Sequence, residues 1–127
     1  MNLELELTDG TYAVCRLPAD EPIPGWAERS DSALLAVVQS ADELSIVCAE
    51  SRVPRGVEGS GGWALLRVLG TLDHGLTGVL ASIAGPLADA EIPIFAVSSF
   101  DTDYVLLPQA RREQAAAVLE AAGHSIR

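Results

Sequence analysis

GWALLRVLGTLDHGLTGVLASIAGPLADAEIPIFAVSSFDTDYVLL, residues 62–107, reads in order as strand, glycine-bearing loop, helix, strand, tight turn and strand. In the first strand Trp63, Leu65 and Leu69 alternate with Ala64, Leu66 and Val68, so both faces are apolar and both need cover. Leu76, Val79, Leu80, Ile83 and Leu87 then fall at helical spacing and form one stripe, which predicts a helix over 75–90. Pro86 stands late in that helix, where its missing N–H bends or loosens the last turn. Strands at 92–98 and 103–107 flank a turn at 99–102. Residues 109–122 (QARREQAAAVLEAA) form a second helix, with Ala115, Val118, Leu119 and Ala122 inward and Gly123 as its stop. Residues 124–127 can add a last short strand. The order is βαββαβ, the ferredoxin-like plan of an α+β fold.

Upstream, Leu3, Leu5 and Leu7 alternate with Glu4 and Glu6, and Tyr12, Val14 and Arg16 alternate with Ala13, Cys15 and Leu17 across Asp9-Gly10. This pattern predicts a two-residue hairpin in which Leu7 faces Tyr12 and Leu5 faces Val14. Residues 18–32, with three prolines and four acidic residues, read as a surface connection with one helical turn near Trp26. ALLAVVQS (33–40) and ELSIVCAE (43–50) read as a second hairpin. SRVPRGVEGSG (51–61) marks the boundary between an N-terminal subdomain, 1–60, and a C-terminal one, 61–127.

A chain of 127 residues holds one ordinary domain, or two very small ones that lean on each other. Its formal charge of −10 and basic residues scattered without forming a stripe argue against nucleic acid and anionic membranes as partners. MNLELELTDG lacks the basic start of a secretory signal, and no apolar run reaches the roughly 18 residues of a membrane span. The expected location is the cytoplasm. Cys15 and Cys48 lie in apolar runs with no second ligand at metal spacing, and read as buried thiols.

The long phrases within 62–107, above all PLADAEIPIFAVSSFDTDYVLL at 86–107, resemble the ACT domain. The variant they resemble occurs in small tandem-ACT bacterial proteins and in the cytosolic arginine sensor of animals. ADELSIVCAE and the opening hairpin look like the shorter, less complete ACT unit that precedes it in such proteins. The resemblance implies antiparallel sheets in two ACT-like subdomains, no catalysis and no cofactor. It also implies an amino acid or related metabolite as ligand and a regulated protein partner whose identity is open, while sheets apolar on both faces favour a homodimer. The turn similar to SSFDTD nominates Ser99, Phe100, Thr102 and Asp103, and the loop similar to LDHGL nominates Asp73, His74, Gly75 and Leu76.

Chemistry supports a site between the 72–78 loop and helix start and the 99–103 turn. Unpaired N–H groups at a helix start favour a carboxylate, with Gly75 and Gly78 permitting close approach. Asp103 can take an ammonium or cationic side chain, or can bond its own turn; Asp101 reads more simply as a turn residue. Asp73 can cap the helix or touch ligand, and His74 can be a solvated loop residue or a contact. Arg67, in an apolar strand, can clamp a carboxylate or pair with an acid. Two other classes stay open: an interaction module with a degenerate pocket, and a small metal-dependent enzyme using Asp101, Asp103 and His74. The second lacks any nucleophile elbow, phosphate loop or metal-ligand signature.

Overall fold

The computed structural model describes residues 1–127. Eight strands and two helices occur in chain order: β1 (Glu4–Leu7), β2 (Tyr12–Leu17), β3 (Ala36–Gln39), β4 (Leu44–Ala49), β5 (Gly59–Val68), α1 (Val79–Asp89), β6 (Phe95–Ser98), β7 (Asp103–Pro108), α2 (Arg112–Ala121) and β8 (Ser125–Ile126). Neither helix is long and apolar enough to cross a membrane. The chain divides into two compact units, Gly10–Trp63 and Met1–Asp9 with Ala64–Arg127. The first nine residues, expected in the N-terminal half, thus belong with the C-terminal one.

That regrouping follows from a corrected pairing. β1 and β2 do not form the expected hairpin: both run antiparallel to β5, with Leu5 opposite Val68 and Leu7 opposite Leu66, and Tyr12 opposite Trp63. The ten residues of β5 are long enough to serve both. Asp9-Gly10, with Gly10 at φ +82°, makes a local excursion instead of a reversal. Two interactions hold that course. The Thr8 N–H donates to the Leu65 carbonyl at 2.9 Å, and the Arg112 guanidinium donates to the Leu7 and Thr8 carbonyls at 3.2 and 3.0 Å.

In the C-terminal unit β6 pairs with β7, β7 with β5, β5 with β1, and β1 runs parallel to β8. The ferredoxin-like order is therefore present, with β1 inserted between β5 and the final strand. α1 and α2 cover one face. Leu5, Leu66, Val68, Val105 and Leu107 of the sheet close on Val79, Ile83, Leu87, Ala115 and Leu119 of the helices. In the Gly10–Trp63 unit β3 pairs with β4 in the expected hairpin and β4 with β2; Cys15, Leu17, Leu44, Ile46 and Cys48 form its core.

The first helix starts later than its stripe predicts. Gly78 is its N-cap in the left-handed conformation, φ +83°, and residues 75–77 belong to the loop. Leu76, the first residue of the stripe, is accordingly 47% exposed. Pro86 is accommodated inside α1 because the chain supplies the missing donor from elsewhere. A helical N–H at position 86 would bond the Ser82 carbonyl. His124 does so instead, its Nε2 donating to that carbonyl at 3.0 Å.

Candidate functional site

Two short segments of the C-terminal unit meet at one pocket. The loop after β5 bends at Asp73, whose Oδ1 accepts the Gly75 N–H at 2.7 Å while its carbonyl accepts the Leu76 N–H at 3.0 Å. Asp73 thus shapes its own loop and does not cap α1, and Gly75 has its N–H committed there. The turn between β6 and β7 closes through Ser99, whose N–H and hydroxyl donate to the Thr102 carbonyl at 2.8 and 3.1 Å.

Loop and turn are then fastened together. The Leu72 N–H donates to the Asp101 carbonyl at 2.7 Å, and His74 Nε2 lies 2.7 Å from the Phe100 carbonyl. A carbonyl only accepts, so the proton of the neutral ring sits on Nε2. The same imidazole meets the Phe100 ring edge to face, centroids 4.5 Å apart. Thr102, 9% exposed, anchors the turn to β5 by donating its hydroxyl to the Val68 carbonyl at 2.6 Å.

The pocket so formed has a volume of about 360 Å³ and is walled by both segments. Of the residues nominated from sequence it brings together Asp73, His74, Leu76, Ser99, Phe100, Thr102 and Asp103; Gly75 is not in its wall. Sequence reasoning missed Val79 and Leu80 as its apolar floor, although their place in the helical stripe pointed there, and set Asp101 aside although it lines the wall. Three carboxylates face the space, and its walls hold no lysine or arginine. Asp103 Oδ1 accepts the Ser98 hydroxyl at 2.5 Å, which fixes the carboxylate at the start of β7.

At the opposite pole, α1 opens on the pocket through Gly78, Val79 and Leu80, with no side-chain cap and no acidic residue in its first turn. The first N–H groups of a helix lack partners inside it, and carry a partial positive charge. A donor end and an acid-rich end therefore share one small space. No group of three or more His, Cys, Asp or Glu side chains is placed to hold a metal ion.

The architecture has known relatives. A family model described as the ACT domain matches residues 58–121, and a separate model of an N-terminal domain matches residues 10–56. No curated protein matches the sequence. Among solved structures, a protein of Agobacterium tumefaciens is 35% identical, covers 100% of this chain and 93% of its own, and superposes with a TM-score of 0.92. A Vibrio cholerae protein described as a possible transport protein is 19% identical over 96% of this chain and 91% of its own, TM-score 0.76. The ligand-free regulatory subunit of aspartate kinase from Thermus thermophilus shares the fold, at 17% identity over 91% and 93% of the two chains and a TM-score of 0.57.

Proposed function

This chain belongs to the ACT-domain family, and on that premise we propose that it is a non-catalytic regulatory module that binds a free amino acid between the 72–80 segment and the 99–103 turn. The observation that carries the reading is the single pocket walled by an uncapped helix start on one side and an acidic turn on the other. At about 360 Å³ it is near the lower end of small-molecule pockets, which run from about 300 Å³ upward. The ligand carboxylate takes the N–H groups at Val79 and Leu80. Its ammonium takes the Asp103 carboxylate, held in place by Ser98. The likeness of SSFDTD to the ligand-contacting turn of the arginine sensor supports the same assignment.

With three aspartates and no strong cation in the wall, the site disfavours ligands with an acidic side chain. Leu76 and Phe100, 47% and 81% exposed, stand at the pocket as large apolar groups. A second copy of the chain docked over them would enclose the ligand, so that ligand and dimer stabilise each other. The regulated target is a protein that reads this change.

A thermal-shift screen of the twenty amino acids, with an EDTA control, tests the reading. One or a few amino acids raise the melting temperature, aspartate and glutamate do not, and EDTA changes nothing. Asp103→Asn removes a charge-assisted bond worth about 1.5–3 kcal/mol and weakens the hit about 10- to 150-fold. Its circular dichroism spectrum stays native. Retained affinity in that variant removes Asp103 from the site, and silence of the wild type across the panel favours an interaction module with a degenerate pocket.

A further inference from the structure

We propose a second binding site, for the zwitterionic head of a free amino acid, centred on Arg67. A separate pocket of about 340 Å³ lies at the end of β5 and is lined by Arg67, Gly70, Thr71, Asp101 and Tyr104 among others. It shares Ser99, Asp101 and Thr102 with the first pocket, so the 99–102 turn is a common wall. What distinguishes it is a strong cation.

Arg67 is incompletely used. Its Nη2 donates to Glu6 Oε1 at 2.7 Å, which is the simple ion pair expected of an arginine in an apolar strand. Glu6 engages one of the five N–H groups of the guanidinium. Nε is buried with no hydrogen-bond partner, an arrangement that costs free energy. The side chain is nonetheless 36% exposed and forms part of the pocket wall. A carboxylate entering the pocket meets a guanidinium whose terminal N–H groups are not all engaged by Glu6, in the planar array of donors that carboxylates prefer.

Charge decides between ligand classes. Glu6 already neutralises Arg67, and Asp101 adds a further negative charge to the wall. A plain anion therefore meets a wall of net negative charge and is disfavoured. A zwitterion places its carboxylate on Arg67 and its ammonium on Asp101, and the hydroxyls of Thr71 and Tyr104 give further hydrogen bonds. This site stands on Arg67 and Tyr104, which the first pocket does not contain, and so holds or fails independently of it.

Amide-resolved NMR titration of the full chain with each of the twenty amino acids separates the two sites. The Gly70, Thr71 and Tyr104 amides report this one, and the Gly78 and Val79 amides report the first. At least one amino acid shifts the Gly70, Thr71 and Tyr104 signals saturably. Arg67→Gln weakens that binding about tenfold or more, Arg67→Lys gives an intermediate loss, and Asp103→Ala leaves it in place. Tyr104→Phe, which keeps the strand intact, gives a smaller loss should Arg67→Gln fold poorly. Unmoved Gly70, Thr71 and Tyr104 amides across all twenty titrations overturn the proposal. So does unchanged affinity in both Arg67→Lys and Tyr104→Phe, or saturation by sodium acetate as tight as by any amino acid.

Discussion

Pro86 and His124, 38 positions apart, are predicted to be energetically coupled through one carbonyl. His124 is 5% exposed and makes two hydrogen bonds: Nδ1 accepts the Leu3 N–H at 3.0 Å and Nε2 donates to the Ser82 carbonyl at 3.0 Å. His124→Ala orphans a donor and an acceptor, each at about 1–3 kcal/mol, so the expected loss is about 2–6 kcal/mol. Against a typical total of about 5–15 kcal/mol this is large. Pro86→Ala restores the helical N–H that Ser82 lacks, so in that background only the Leu3 N–H is orphaned by His124→Ala.

The cost of His124→Ala should therefore fall by about 1–3 kcal/mol when Pro86 is replaced, and urea denaturation of the four proteins in the cycle measures it. Side-chain surrogates sharpen the test. His124→Asn keeps an acceptor near the Nδ1 position and His124→Gln a donor near Nε2, so each recovers part of the loss. Additivity of Pro86→Ala and His124→Ala within about 0.5 kcal/mol would refute the coupling.

Thr102→Val removes the hydroxyl bonded to the Val68 carbonyl while keeping the shape, and should lower stability by about 1–2 kcal/mol in urea denaturation; Thr102→Ser, which keeps the bond, should cost less. Burial pushes the Cys48 thiol up to about 11, with the charge of neighbouring Cys15 adding to the rise, while in the unfolded chain a thiol ionises near about 8.5. The folded state thus keeps a proton that the unfolded state has lost, and stability present below about pH 8.5 falls as pH rises toward about 11. Cys48→Ala should flatten that alkaline decline, and an undiminished slope would show that the thiol is not its source.

The parts of this molecule legible in its sequence are those whose determinants lie close together along the chain. The stripe through Val79, Ile83 and Leu87, the alternation of β5, and the SSFDTD turn each state their structure within a dozen residues, and the pocket arises because the segments that bear it adjoin the same strands. Asp9-Gly10 is also a local signal, and there the local rule misleads. A hairpin would pair β1 with β2, but β5 offers both strands a longer partner, and Arg112, 104 positions from Thr8, takes the carbonyls at the break.

Partners so distant leave no mark in a window of sequence. Pro86 is the instructive middle case. The lost N–H is written in the sequence and implies an orphan acceptor at Ser82, but which group answers it depends on β8 docking beside β1 and delivering His124 to the helix. Arg67 poses the same question in reverse, as a buried donor with no acceptor on the chain. In the first case the fold supplies the missing partner; in the second the chain leaves Nε without one, and only the exposed part of the same side chain, which lines a pocket, is within reach of a ligand.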